Sequence, residues 1–314
     1  MGLTIGVDVG GTKVAAGVVA EDGTILANAR RPTPSASPGD VEATIAALVT
    51  DLRAEHEVVA VGIGAAGFID ADRARVLFAP NLAWRDEPLR DEVAKRTGLP
   101  VVVENDANAA AWAEHRFGAG KGERDLVCVT VGTGIGGGII LDGALYRGRF
   151  GIGAEFGHMQ VIPDGRRCGC GQRGCWEQYC SGRALLHEAR EIADVQPDFG
   201  ARLLALGGGE PEGIEAPEVT QAAREGDPAA LACFAEVGGW LGQGLADLAA
   251  LLDPGVFVVG GGVADAGELL LAPAREVFAR RLTGTGHRPL AQIRLARLGN
   301  DAGLVGAADL ARQR

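Results

Sequence analysis

The chain contains two copies of one strand-and-turn pattern, and this duplication limits its fold more than any other feature. The first copy spans residues 3–26 and the second residues 126–146. In each copy a glycine turn joins the first two apolar runs, and an Asp-Gly turn joins the next two. Each copy therefore predicts an antiparallel three-strand meander. Asp-Gly turns are common enough for a coincidence, but the matching order of elements favours a duplicated domain.

Helical and strand patterns alternate between and after the copies. Apolar residues at helical spacing predict helices over residues 40–55, 86–97, 107–117, 181–194, 201–206, 231–252, 266–282 and 302–313. Apolar runs predict further strands over residues 58–63, 101–104, 256–259 and 293–296, whereas residues 195–218 predict mostly loop. The alternation indicates an α/β protein with covered sheets. We expect a small N-terminal domain (residues 1–108 with a helix at 301–314), a large C-terminal domain (residues 109–300) and a hinge near residues 107–118.

Composition excludes several classes of protein. The 314 residues carry a net charge of −11, so binding to nucleic acid through phosphate neutralisation is not expected. No apolar run approaches the roughly 20 residues that cross a bilayer. The chain opens on residues 1–7 without the charged and apolar regions of a secretory signal, so we expect a cytoplasmic protein.

A histidine and three cysteines lie within one short stretch: His158, Cys168, Cys170 and Cys175. Three thiolates and one imidazole form a complete tetrahedral shell for a structural Zn²⁺ ion. A disulfide or buried thiols are the alternatives, but cytosolic cysteine clusters more often bind metal. A closed shell leaves no position for water, so the metal would shape the loop that carries Glu155 and Glu177.

The first glycine turn, Gly10-Gly11-Thr12-Lys13, follows a strand that contains Asp8. Glycines let successive N–H groups face an anion, and the threonine and lysine add a hydroxyl and a positive charge. Asp8 can orient a hydrated Mg²⁺ ion. The spacing is not that of a P-loop. The turn therefore predicts a phosphate site, although a hairpin turn needs no ligand.

Two later glycine clusters favour a nucleotide-binding site. The turn over residues 132–138 contains Thr133 and Gly134, and would contact the same polyphosphate. Gly261 and Gly262 follow an apolar strand and precede a helix, which is where ligands bind in open α/β sheets. A nucleoside could lie against that bare backbone, and a simple tight turn is the alternative.

Asn105 and Asp106 follow the strand at residues 101–104 and begin a helix. Asp106 could cap that helix, or it could accept a proton from a substrate hydroxyl. Together with Glu155, His158 and Glu177 these residues form a set that suits a polyhydroxylated ligand. His158 can serve both the metal and the ligand, one ring nitrogen for each.

Five blocks resemble the ROK family of sugar kinases and repressors, within the actin-like/hexokinase-like ATPase superfamily. They are Gly6-Val-Asp8-Val-Gly-Gly-Thr-Lys13, Glu104-Asn-Asp106-Ala-Asn108, Gly132-Thr-Gly134-Ile-Gly136, Glu155-Phe-Gly-His158 and Cys168-Gly-Cys170-Gly-Gln-Arg-Gly-Cys175-Trp-Glu177. The resemblance covers essentially the whole chain and is greatest to glucokinases of the actinobacterial type. It implies a duplicated ATPase fold with two domains flanking a central cleft.

The resemblance also implies an activity: ATP-dependent phosphorylation of glucose at its 6-hydroxyl, giving glucose 6-phosphate. Asp106 would be the general base. The other implied sugar ligands are Asn105, Glu155, His158, Glu177, Asn81, Ala66 and Gly67. Mg²⁺ and ATP would be held by Asp8, Gly10, Gly11, Thr12, Lys13, Thr133, Gly134, Gly261 and Gly262.

Alternative activities stay open at this point. The residues alone do not distinguish glucose from fructose, mannose, allose or an N-acetylhexosamine. A sugar-responsive transcriptional regulator would carry a helix-turn-helix before the sugar domain; the first predicted strand begins at Leu3, so we do not expect one here. We expect a homo-oligomer, a dimer or a tetramer, with sugar and ATP as its small-molecule partners.

Overall fold

The computed structural model describes residues 2–34, 37–80 and 82–313. The chain forms two compact units. The first comprises Met1–Cys128, Gly137–Ala154 and Ala296–Arg314, and the second comprises Val129–Gly136 and Glu155–Leu295. The domain boundary expected after residue 108 stays a prediction.

The strands and helices are numbered in chain order. The strands are β1 (Leu3–Val9), β2 (Lys13–Val19), β3 (Ile25–Pro32), β4 (Val58–Ala65), β5 (Phe68–Ile69), β6 (Val76–Phe78), β7 (Arg85–Glu87), β8 (Val101–Asn105), β9 (Leu126–Val131), β10 (Ile135–Leu141), β11 (Ala144–Tyr146), β12 (Val256–Gly260) and β13 (Gln292–Leu295). The helices are α1 (Pro38–Arg53), α2 (Leu89–Thr97), α3 (Asp106–Arg116), α4 (Gly182–Val195), α5 (Ala201–Leu206), α6 (Ala216–Arg224), α7 (Pro228–Leu252), α8 (Glu268–Arg281) and α9 (Ala302–Arg312).

Two sheets repeat one topology. Their strand orders are β3-β2-β1-β4-β8 and β11-β10-β9-β12-β13. In the first sheet β1 is antiparallel to β2 and parallel to β4, which is parallel to β8. In the second sheet β10 is antiparallel to β11, and β12 is parallel to β13. Because each sheet joins a meander to two parallel strands in the same order, the predicted duplication and the α/β fold class are confirmed.

Glycines in β1 and β4 let α9 lie directly on the first sheet. A Cβ at Gly6 would be 1.9 Å from the Leu304 carbonyl oxygen, and one at Gly62 would be 1.8 Å from the Ala307 carbonyl oxygen. No side chain fits in such a gap, so the C-terminal helix meets the strands backbone to backbone. This contact brings the beginning of α9 to the edge of the sheet where β1 and β4 end.

In the second unit a glycine likewise lets the long helix α7 pack closely on the backbone of α8. A Cβ at Gly242 would be 2.3 Å from the Ala274 carbonyl oxygen. Ser181 caps α4, as predicted, because its hydroxyl accepts a hydrogen bond from the Ala184 amide at 3.2 Å. None of the helices within the described ranges has both the length and the apolar character that crossing a bilayer requires.

Two local predictions differ from the structure. The helix predicted to begin at Asp86 begins at Leu89, because Arg85–Glu87 forms β7 of a small sheet with order β5-β6-β7. Glu87 precedes a proline, which disfavours the helical conformation there. The loop predicted over residues 195–218 is interrupted at its end by α6, which the sequence analysis missed.

Candidate functional site

Three neighbouring parallel strands end at one edge of the first sheet. Asp8 in β1 lies opposite Gly64 in β4, which lies opposite Glu104 in β8. The Gly10–Lys13 turn, the Ala66-Gly67 turn and Asp106 directly follow these three strands. The first unit therefore brings its predicted site residues together, at the edge where ligands bind in open α/β sheets. Asn81, predicted as a sugar ligand, lies outside the described residues.

Asp8 and Asp106 form a pair of acids at this edge. Burial raises the pKa of Asp8 from 3.8 to about 6, and the charge of Asp106 adds to the rise while Lys13 opposes it. Burial also raises the pKa of Asp106. A Cβ at Gly303, in the first turn of α9, would lie 3.6 Å from Asp8 Oδ1. Gly303 was not predictable from the sequence, because only the tertiary fold brings α9 to these carboxyl groups.

The structure assigns the capping role to Asn105 and not to Asp106. Asn105 is the N-cap of α3, and its side-chain oxygen accepts a hydrogen bond from the Asn108 amide at 3.0 Å. The side-chain Nδ2 of Asn105 also donates to the Gly67 carbonyl oxygen at 3.1 Å, which joins the ends of β8 and of the turn after β4. Asp106 is the first helical residue, and its Oδ1 accepts from the Ala107 amide at 2.9 Å. The capping alternative for Asp106 is therefore wrong.

Glu104 is a buried carboxylate beneath this turn, and the sequence analysis gave it no role. It is 1% exposed, and its Oε2 lies 3.0 Å from Arg73 Nε and 2.8 Å from Arg147 Nε. Its Oε1 accepts hydrogen bonds from the backbone N–H of Asn105 at 2.9 Å and from Asn108 Nδ2 at 3.2 Å. Two arginines thus fix the carboxylate that shapes the turn before Asp106. A buried charge in an apolar strand was the available signal.

The four predicted metal donors converge in the second unit. His158, Cys168, Cys170 and Cys175 place one donor atom each within 4.8 Å of one another. The Cys168 sulfur is 3.6 Å from His158 Nδ1, and the Cys170 and Cys175 sulfurs are 3.7 Å apart. Tetrahedral Zn–S bonds of about 2.3 Å would separate two sulfurs by about 3.8 Å, so the donor set fits such an ion. The cysteines are free thiols, which opposes the disulfide alternative.

One predicted sugar ligand, Glu177, lies against this cluster. Glu177 Oε1 accepts a hydrogen bond from the Cys168 thiol at 3.1 Å and is 4.0 Å from His158 Nδ1. Because Nδ1 of His158 faces the cluster, its Nε2 is the nitrogen left for another ligand. Glu155 begins the 3₁₀ turn Phe156–His158. The residue before it, Ala154, has a φ of 72°, a conformation that costs a non-glycine residue about 1 kcal/mol or more.

The predicted nucleotide residues of the second unit also converge. The Gly182 amide at the start of α4 donates to the Gly132 carbonyl oxygen at 2.7 Å, and the Val263 amide donates to the Val131 carbonyl oxygen at 3.0 Å. Gly261 has a φ of 89°, and a Cβ there would be 2.6 Å from the same Val131 oxygen. The glycine at this position is therefore required by the close crossing of two strand ends.

A cavity of about 590 Å³ opens beside these glycines, within the size range of small-molecule sites. Gly132, Thr133 and Gly262 line it, so it includes residues of both predicted nucleotide clusters. The remaining lining residues come from α4, α6 and the turn after β12: Gly182, Arg183, Leu185, Leu186, Ala216, Pro217, Thr220, Arg224, Val263 and Asp265. The four lining residues in α6 were not predicted because no helix was expected there.

A signal for α6 existed in the sequence. Glu218 accepts a hydrogen bond from the Glu215 amide at 3.1 Å, and Pro217 occupies the first turn. An acidic residue three positions after the cap and an early proline are both typical of helix beginnings. Apolar residues at helical spacing follow them, at Val219 and Ala223.

Comparisons with known proteins identify the family of this chain. The model of the ROK family matches residues 4–314. A glucokinase of Streptomyces coelicolor is 56% identical over 313 residues, covering 100% of this chain and 98% of the relative. A glucokinase of Thermotoga maritima is 40% identical, covering 99% and 97%. The crystal structure of a ROK family glucokinase from Streptomyces griseus with glucose and AMPPNP is 58% identical, with a TM-score of 0.88 and full coverage of both chains. The chain belongs to the ROK family.

Proposed function

We propose that this chain is an ATP-dependent glucokinase that transfers the γ-phosphoryl group of ATP to the 6-hydroxyl of glucose. The observation that carries the proposal is the position of Asp106, which follows a sheet strand and lies beside Asp8 and the Gly10–Lys13 turn. The full-length similarity to glucokinases, one of them solved with glucose and AMPPNP, supports the same substrates. Fructose, mannose, allose, N-acetylhexosamines and a regulatory role are not favoured by any of these observations.

Asp106 would act as the general base. Its carboxylate would take the proton of the sugar 6-hydroxyl as that oxygen attacks the γ-phosphorus. Because burial raises the pKa of Asp106, the carboxylate is a stronger base than an exposed aspartate. Asn105, fixed by its hydrogen bonds to residues 67 and 108, would hold a neighbouring hydroxyl. Positioning of this kind supplies much of the rate enhancement in phosphoryl transfer.

The phosphates and Mg²⁺ would be held by backbone amides and a few side chains. Asp8 would orient the hydrated Mg²⁺, which when bound neutralises charge on the phosphate oxygens. The Gly10–Lys13 turn, Thr133 and Gly134 would contact the phosphates. The nucleoside would occupy the cavity beside Gly261 and Gly262, whose lining is mostly apolar.

We propose Zn²⁺ as the ion of the Cys/His cluster. Three sulfurs and one imidazole nitrogen suit zinc, and a complete shell gives the ion a structural role. Glu155, His158 and Glu177 would hold other sugar hydroxyls, and Ala66, Gly67 and Asn81 would complete that set. The expected homo-oligomer, the domain boundary at residue 108 and the cytoplasmic location stay predictions.

A coupled assay of ATP conversion to ADP across a panel of hexoses tests this proposal. Glucose is expected to give the highest kcat/KM, and the zinc content of the same preparation should be close to one ion per chain. The Asp106→Asn variant serves as a control for contaminating kinases. A higher kcat/KM for another hexose, or an equal rate without sugar, would refute the assignment.

A further inference from the structure

Two segments of the second unit touch at the backbone. The first is the metal-binding loop, defined here as residues 155–177, and the second is the phosphate turn, residues 132–136. A Cβ at Gly157, next to the donor His158, would lie 2.3 Å from the Ile135 carbonyl oxygen. The backbone of the metal-binding loop therefore lies directly on the end of the phosphate turn, with no space for a side chain between them.

Glu177 makes a second and separate contact between the same segments. Its Oε1 accepts a hydrogen bond from the thiol of Cys168, one of the four donors. Its other oxygen, Oε2, would be 2.4 Å from a Cβ at Gly134, so it touches the backbone of the phosphate turn. One carboxylate thus lies between a metal donor and the residue proposed to contact the phosphates.

The loop is held firmly at one end. The Trp176 side chain is fully buried, its Nε1 donates to the Trp240 carbonyl oxygen at 2.8 Å, and its amide donates to the Met159 carbonyl oxygen at 2.8 Å. Residues 160–173 are mostly exposed or half-buried. The middle of the loop therefore has little apolar packing, and an ion shared by the four donors would add a cross-link from residue 158 to residue 175.

We infer that the metal-binding loop positions the phosphate turn through Gly157 and Glu177, so that metal occupancy sets the affinity for ATP even without sugar. This rests on the proposed function, and it extends the role of the metal from the sugar residues to the nucleotide. Loss of the ion removes the common partner of four donors and lets both contacts shift. Mutation of the residues that orient a metal site typically costs 10–100-fold in metal affinity or activity. We expect an effect at the lower end of that range on the nucleotide, a loss of about tenfold in ATP affinity.

The test is calorimetric titration of a non-hydrolysable ATP analogue with Mg²⁺ and no sugar, comparing zinc-loaded with zinc-stripped chain. The Gly157→Ala variant keeps all four donors but must displace the Ile135 carbonyl, so we expect normal zinc content and weaker nucleotide binding. The matched control is Gly169→Ala in the same loop, where a Cβ meets nothing within 4 Å. It should bind both zinc and the analogue like the wild type.

Unchanged nucleotide affinity in both the stripped chain and Gly157→Ala, or a loss confined to glucose affinity, would overturn the inference. If circular dichroism shows that removal of zinc unfolds the chain, the Gly157→Ala variant alone decides the test. If that variant does not fold, Glu177→Ala decides, since it retains the four donors and should also weaken nucleotide binding; unchanged affinity would overturn the inference. Failure of the proposed function shows separately, as no glucose phosphorylation by the zinc-loaded wild-type chain.

Discussion

The Asp8→Asn variant should be more stable than the wild type at neutral pH, although it should lose activity. Burial and the charge of Asp106 raise the pKa of Asp8 from 3.8 to about 6 in the folded chain. The folded state therefore binds this proton more tightly than the unfolded state does. Stability consequently falls as the pH rises through the window from about 4 to 6, and the penalty is fully present above it.

The magnitude follows from the shift. At about 1.36 kcal/mol for each pKa unit, ionised Asp8 costs about 3 kcal/mol of stability at pH 7.5. At pH 5 the same relation gives a cost of about 1.6 kcal/mol in unfolding free energy. The advantage of Asp8→Asn should therefore shrink by about 1.4 kcal/mol between these two pH values. Using the difference between two pH values cancels any pH-independent effect of the substitution.

Denaturant unfolding of the ligand-free chain at both pH values, followed by circular dichroism, measures this difference. The matched control is Asp72→Asn, at an exposed aspartate of the same unit, which should show no such pH-dependent gain. An advantage for Asp8→Asn that is constant with pH, or that grows as the pH falls, would refute the electrostatic explanation.

Four further outcomes are expected. Asp106→Asn should lower kcat about 10²–10⁴-fold with glucose affinity mostly retained, and wild-type turnover would exclude it as the base. Glu104→Gln leaves two arginines beside a neutral group and should cost about 3 kcal/mol or more in unfolding free energy; a loss below about 1 kcal/mol would contradict the buried ion pairs. Gly306→Ala would place a Cβ 1.8 Å from a carbonyl oxygen and should lower Tm markedly, whereas Gly239→Ala, with its nearest atom at 3.8 Å, should not; equal Tm values would refute the packing argument. Cys170→Ser should lose zinc and glucose binding together, and glucose binding without zinc would show that the ion is dispensable.

The sequence was most informative where structure depends on near neighbours. The 3.6-residue and 2-residue periodicities gave most of the helices and strands, because each element must bury one face. The convergence of His158 with the three cysteines was also predictable, since their spacing within one loop already limits the distances between them. At Asp106 local reasoning stopped at two roles, because a cap and a base occupy the same place in a sequence. Only the structure shows that Asn105 is the cap.

The sequence alone determined a duplicated α/β chain with two glycine turns, a Cys/His cluster in one loop and a strand-end aspartate, because periodicity, turn chemistry and donor spacing are local properties. The tertiary structure decided which distant residues contact one another: Arg147 with Glu104, Gly303 with Asp8 and Glu177 with Gly134. Each of these pairs is separated by more than forty residues in the chain, or by almost its whole length. Such contacts depend on how elements pack in three dimensions, and no local pattern in the sequence encodes them.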